Sequence, residues 1–140
     1  MYKIEKLISI TSRKSQIFYA PQLADLNISS GQFMYIVAIC ENEGAKQDEL
    51  GEIVGINKST TAKMVTQLVT EGYARREQDS KDKRVYHVYP TEKTKKVYPK
   101  VIRILDQWSE NLMNGLTKEE CESLMCLMTI IEQNARKYSK

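Results

Sequence analysis

Ser59, Thr60, Lys63 and Gln67 recur at one-turn spacing, so they share a face if residues 58–71 form a helix. Hydroxyls, an ammonium and an amide are the groups that meet base edges and phosphates in a major groove, which admits an α-helix. A helix that merely meets solvent would look the same. A second constellation is Asp82 with Arg84, two positions apart and therefore on one side of an extended chain. A carboxylate so placed can hold a guanidinium fork. A long guanidinium at the base of a hairpin can enter a minor groove, where negative potential is strongest when the groove narrows. Its plainer reading is a surface ion pair of little energetic weight.

Other chemistries find little support. The single histidine, His87, falls in a strand pattern with no neighbouring Cys, Asp or Glu cluster, which reads as a structural or exposed strand residue. No Gly-rich phosphate loop or nucleophile motif is present. Cys121 and Cys126 point to different faces of one helix and Cys40 ends another, which does not make a metal site. The expectation is a protein that is not an enzyme and uses neither cofactor nor metal. Reactive cysteines need a lowered pKa and access. All three here lie in apolar helical patterns that suit inert thiols, although a redox-sensing role stays open.

The elements that must carry these residues follow from period and punctuation. Residues 3–19 place Ile4, Leu7, Ile8, Thr11 and Phe18 at helical spacing, with Pro21 closing the helix or just beyond it. Ser29 and Gln32 have capping-box spacing ahead of a helix burying Phe33, Ile36, Val37 and Cys40. Gln47–Val54 is a short helix, Gly55-Ile56-Asn57 a tight connection, and Asn57 the N-cap of a helix over 58–71 that buries Met64, Val65 and Leu68. Gly72 is its C-cap. Two short helices joined in this way outline a helix-turn-helix.

After Gly72 the period changes to two. Residues 73–77 and 85–89 predict strands, joined by the polar run 78–84 as a β-hairpin with a charged tip. Thr91 caps a long helix carrying Val97, Val101, Ile104, Leu105, Trp108 and Leu112, with Pro99 expected to kink it or delay its regular part. Thr117-Lys118-Glu119-Glu120 is another capping box. It opens a last helix with Cys121, Leu124, Met125, Met128 and Ile131 on one face. The fold class is mainly α with a small β-hairpin wing: a winged helix-turn-helix with terminal helices.

Composition fits this reading without compelling it. The 140 residues fit one domain, 41% are hydrophobic and the net charge is only +3. Basic residues nevertheless concentrate between Lys58 and Arg84, at the helix ends and loop positions where phosphates are usually met. Apolar runs fall far short of the roughly 20 residues of a membrane span. No secretory leader is apparent, and three widely spread cysteines argue for a reducing compartment, so a cytoplasmic location is expected.

Taken in order, Ile28-Ser29, Gln47-Asp48-Glu49-Leu50, Gly55-Ile56-Asn57-Lys58-Ser59-Thr60, Leu68, Glu71-Gly72, Arg76, Asp82-Lys83-Arg84 and Thr91-Glu92-Lys93 resemble the MarR family pattern over residues 28–95. Departures are Ala62 where a hydroxyl is frequent, Lys63 and Gln67 where arginines are frequent, and Pro90 and Thr94 where Leu and Gly are usual after the wing. Lys is not an equivalent reader of bases, so sequence preference follows the family less closely than fold. The resemblance implies a single domain over 1–140, with a DNA-binding lobe at 28–90 and dimerisation helices within 1–25 and 91–140. It also implies a homodimer on a pseudo-palindromic double-stranded operator, acting as a repressor released by a small ligand. Residues expected at the DNA are Gln47, Asn57, Lys58, Ser59, Thr60, Lys63, Gln67, Arg76, Lys81, Asp82, Lys83 and Arg84. The alternatives are a redox-sensing regulator of the same fold and a winged-helix protein-interaction module that does not bind DNA.

Overall fold

Six helices and a three-stranded sheet make up the described part of the chain, residues 2–139, in a computed structural model. In chain order they are α1 (Lys3–Ala24), α2 (Phe33–Glu41), β1 (Ala45–Lys46), α3 (Gln47–Val54), α4 (Lys58–Thr70), β2 (Ala74–Gln78), β3 (Tyr86–Pro90), α5 (Glu92–Leu112) and α6 (Lys118–Tyr138). Two compact units divide the chain, residues 2–108 and 109–139.

The first unit is organised around α2, a helix apolar nearly all round and correspondingly buried at Phe33, Tyr35, Ile36, Ala38 and Ile39. Leu50 of α3, Val65 and Leu68 of α4, Val88 of β3 and Val101 of α5 close over it with no exposed surface. Each such side chain contributes about 1.5–3 kcal/mol relative to exposure. Behind this core α5 is tied to α1: Trp108 stacks on Phe18 at 4.6 Å and donates its indole N–H to Ser15 Oγ at 2.7 Å.

Strand β3 lies between β1 and β2, both antiparallel to it. The hairpin strands begin one residue later than their sequence pattern suggests. Strand β1 has only two residues, too few to show a period, and was not expected from sequence. It pairs Ala45 with Val88 and Lys46 with His87, fastening the start of the helix-turn-helix to the wing.

Pro21 departs from expectation, and Pro99 does not delay the start of its helix. Pro21 lies inside α1, which continues to Ala24, and Pro99 lies inside α5, which runs unbroken from Glu92 to Leu112. Each is exposed, and each removes just one backbone donor from a helix whose other face is packed. The box expected at Ser29 is also different. Gln32 Oε1 does accept from Ser29 N at 2.9 Å, but Gln32 N donates to the Ser29 carbonyl at 3.0 Å, closing a separate turn before α2 starts at Phe33. Buried Gln32 then donates through Nε2 to Glu71, linking α2 to the end of α4.

The second unit holds the end of α5, a turn and α6. Thr117 caps α6 as expected: Glu120 N donates to its hydroxyl at 3.1 Å and Thr117 N to the Glu120 carboxylate at 3.3 Å. No described residue of α6 is buried. Cys121, Leu124 and Ile131 are half-buried, whereas Met125, Leu127, Met128 and Ile130 are exposed. Much of the stripe on α1 is likewise exposed at Ile4, Leu7 and Ile8.

Candidate nucleic-acid interface

Helix α4 is held from beneath by side chains that fix which face turns outward. Thr61 is fully buried, and its Oγ1 lies 3.0 Å from Tyr35 Oη and 3.4 Å from the Ile56 carbonyl. Val65 and Leu68 continue the inward face, with Met64 half-buried beside them. At the N-terminus Asn57 Oδ1 accepts from Thr60 N at 2.8 Å, the expected cap. What remains outward is the expected set: Lys58, Ser59, Thr60, Lys63 and Gln67 are all exposed. Lys58 Nζ lies 3.6 Å from Asp48 of α3, and Gln67 Nε2 donates to Glu71 at 3.4 Å.

At the other end, Gly72 adopts φ +82 and lets Tyr73 N reach the Leu68 carbonyl at 2.8 Å, turning the chain directly into β2. Thr94, the departure from the family's usual glycine, is buried and donates its hydroxyl to the Tyr73 carbonyl. Thr91 Oγ1 donates to the Gly72 carbonyl at 2.6 Å. These contacts anchor the first turn of α5 to the root of the wing.

Of the remaining expected residues, Gln47, Arg76 and Arg84 lie where β1, α3 and the wing meet. Gln47, half-buried at the start of α3, accepts from Arg76 Nη1 at 3.4 Å, and the Arg76 guanidinium lies 5.3 Å from the centre of the Tyr86 ring. A small cleft there is lined by Lys46, Gln47, Asp48, Arg84, Val85 and Tyr86. The fork read from Asp82-Lys83-Arg84 is formed: Arg84 Nε and Nη2 each donate to an Asp82 oxygen at 3.1 Å, and Arg84 N donates to the same carboxylate at 3.0 Å. Those bonds hold Asp82 below its ordinary pKa, the side-chain bond from Arg84 contributing most. Arg84 itself is 90% exposed, so a fixed cation projects into solvent. Lys81 and Lys83 are exposed beside it.

Asp79, His87 and Gly44 escaped the sequence reading. His87 is half-buried, with Nε2 2.7 Å from Asp79 Oδ1 and Nδ1 2.8 Å from the Gly44 carbonyl. The other Asp79 oxygen accepts from Lys81 N and Asp82 N, both at 3.0 Å, and so shapes the tip. The bond from His87, then those two amides, lower the Asp79 carboxyl to about pKa 2; Asp79, then the Gly44 carbonyl, raise His87 above its ordinary value. These partners are remote from His87 along the chain, so no local motif announces them.

Cys40 is half-buried with its thiol pushed up to about 11, by burial first and then by Glu43 and Glu41 against the opposing Lys95. Cys121 is half-buried and Cys126 exposed. Among the described residues no three His, Cys, Asp or Glu side chains gather where they could hold one metal ion, and no helix is long and apolar enough to cross a membrane.

Comparison with known proteins gives this geometry a family. The MarR family profile matches residues 28–86. The HTH-type transcriptional regulator YybA of Bacillus subtilis is 33% identical over 113 residues, covering 81% of this chain and 75% of the relative. A MarR transcriptional regulator from Methanosarcina mazei superimposes with TM-score 0.89 at 33% identity, over 98% of this chain and 99% of that one. A MarR family regulator from Listeria monocytogenes, solved in complex with a 26-mer DNA, superimposes with TM-score 0.89 at 27% identity, over 94% of this chain and 88% of that one. The chain belongs to the MarR family of winged-helix transcription regulators.

Proposed function

We propose that this DNA-binding transcription regulator grips a pseudo-palindromic duplex as a homodimer, with α4 in the major groove and the wing in the minor groove. The observation that carries the reading is the pairing of two prepared surfaces: the polar outer face of α4 and the Arg84 guanidinium held by Asp82. The Listeria relative bound to DNA supports it by likeness. Ser59, Thr60, Lys63 and Gln67 face base edges and phosphates. Asn57, Lys58, Lys81 and Lys83 meet the backbone, and Gln47 and Arg76 meet it where α3 approaches the wing. A protein-interaction module would have no need of the Asp82–Arg84 fork.

Two-fold symmetry would present two recognition helices to half-sites about 34–36 Å apart. The exposed apolar residues of α1 and α6, Leu7 and Leu127 among them, support self-association through the terminal helices, which on this reading lie within 1–25 and 91–140. Repression relieved by a small ligand, a cytoplasmic setting and the absence of catalysis complete the proposal. Redox sensing through Cys40 is disfavoured, since a thiol raised to about 11 carries little thiolate at neutral pH.

The test is a set of gel-shift titrations beside thermal melts, using a duplex selected by the wild-type protein from a random pool. Arg84→Ala is expected to weaken binding on the order of tenfold with an unchanged melt. Asp82→Ala should show a smaller loss, because it removes only the group that orients the fork. Thr60→Ala and Lys63→Ala should alter which duplexes are preferred. An Arg84→Ala protein that both melts and binds like the parent sinks the wing assignment.

A further inference from the structure

His87 meets two groups that can only accept hydrogen bonds in their ordinary states, the Asp79 carboxylate at 2.7 Å and the Gly44 carbonyl at 2.8 Å. Neutral imidazole has one N–H and can satisfy one of them; the imidazolium has two and satisfies both. The arrangement therefore selects the charged ring. Its place in the fold matters as much. Gly44 lies in the turn between α2 and β1, and Asp79 opens the wing loop, so the ring spans from the turn that leads into the helix-turn-helix to the wing. Beyond the ring, Asp79 accepts from Lys81 N and Asp82 N, and Asp82 in turn holds Arg84. A continuous chain of hydrogen bonds thus runs from Gly44 to the guanidinium proposed to enter the minor groove.

We propose that His87 is a positioning residue for operator binding, a protonation-dependent clamp that fixes the wing loop, and through it Arg84, against the turn that leads into the helix-turn-helix. The proposal rests on the DNA reading of the wing given above. Other charged groups near the ring are accounted for. Lys46 on β1 is paired with His87 and opposes its charge, while Asp79 favours it more strongly. Glu77 lies opposite on β2, with its carboxylate engaged by Arg75. Glu43, beside Gly44, pairs with Lys95 at 3.4 Å. Since the folded ring is raised above its ordinary value, the clamp is fully formed below the unfolded histidine pKa of about 6.5 and is lost as pH rises through the folded value.

Because the sequence contains one histidine, its ring can be titrated without ambiguity by nitrogen–proton NMR on the full-length protein. The expected result is a ring protonated at both nitrogens that titrates above about 6.5 in the wild type and lower in Asp79→Asn. In parallel, affinity for the duplex selected from a random pool is measured between about pH 6 and pH 8.5. Wild-type affinity should fall roughly three- to tenfold across that range, and His87→Gln and Asp79→Asn should both flatten the profile. Asp79→Asn separates the clamp from direct phosphate binding: a His87 that touched DNA itself would keep its pH dependence in that variant, which would overturn the proposal. So would a ring titrating at or below the ordinary value, or identical pH profiles for all three proteins. If the wild type binds no duplex at any pH, the DNA reading and the positioning role fail together, whereas a failed NMR titration beside normal binding removes the clamp alone.

Discussion

The helix-turn-helix and α6 present similar apolar stripes in sequence, yet the chain treats them in opposite ways. Leu50, Val65 and Leu68 have no exposed surface, and the polar groups among them find partners, as Thr61 does with Tyr35. In α6 no described residue is buried, and Leu127 is 58% exposed. Helical periodicity reports that a face is built to be covered; it does not report what covers it. For α3 and α4 the cover is the rest of their own unit. For α6 a second copy of the chain is the cover proposed here.

The largest expected effect sharpens that contrast directly. Leu50→Ala should destabilise the fold by about 2–5 kcal/mol, read as a lowered denaturant midpoint. Leu127→Ala, measured at dilutions where chains are separate, should leave the midpoint nearly unchanged. Its effect belongs to self-association: sedimentation should show the wild type at twice the 16.2 kDa chain mass, with Leu127→Ala shifted toward the single chain. Equal destabilisation by both substitutions under dilute conditions would erase the distinction.

Next comes the crossing of α3 and α4. A Cβ at Gly51 would lie 2.8 Å from Thr61 Oγ1 and 2.9 Å from the Ile56 carbonyl, one of them backbone. Gly51→Ala should therefore cost about 1–3 kcal/mol by overpacking, although alanine is the better helix former. No position in α6 combines such tight approach with complete burial among the described residues. A Gly51→Ala variant as stable as the parent would mean that the two helices can part without loss.

How much of this was legible in the sequence depends on the range of the interactions. Gln47–Val54 was read with its observed bounds, Asn57 was read as a cap, and Thr117 was read with its partner Glu120, because capping is settled within three or four residues. The Asp82–Arg84 fork was legible for the same reason. What escaped was non-local or too short. Strand β1 exists because Ala45 and Lys46 find β3 across the fold. His87 looked isolated because its partners are Asp79, around the hairpin, and Gly44, in a different element. Pro21 was read as the end of α1, but packing along that helix outweighs one missing donor and carries it to Ala24. Which face of α4 turns outward was plain from Met64, Val65 and Leu68; that Thr61 is pinned beneath it by Tyr35 was not, because Tyr35 is 26 residues away.

Caps provide a smaller, matched pair of perturbations. Asn57→Ala and Thr117→Ala each remove one side-chain acceptor from a helix start, for about 1 kcal/mol each. Their functional outcomes should diverge. Fraying the first turn of α4 disturbs Lys58, Ser59 and Thr60, so Asn57→Ala should weaken duplex binding in excess of its change in melting. Thr117→Ala should instead weaken self-association, with binding affected only at low protein concentration. Binding losses of equal size at saturating dimer concentration would contradict this division.

The smallest expected effect is at Lys81, and it isolates charge from structure. Its backbone N–H belongs to the turn, donating to Asp79 Oδ2 at 3.0 Å, while its side chain is exposed. Lys81→Ala therefore keeps the hydrogen bond that shapes the tip and deletes an ammonium. Each phosphate neutralised by a cation releases condensed counterion, giving a slope of about −0.9 in log affinity against log salt. Removing one such contact should make the slope shallower by about one unit, with nearly uniform loss across sequences and an unchanged melt. Arg84→Ala should differ in kind, because a guanidinium in a narrow minor groove also reads groove width, so its loss should be larger on duplexes with A-tracts at the wing position. If Lys81→Ala leaves the salt slope where it was, the wing tip does not meet the phosphate backbone, and contact is confined to α4 and the root of the hairpin.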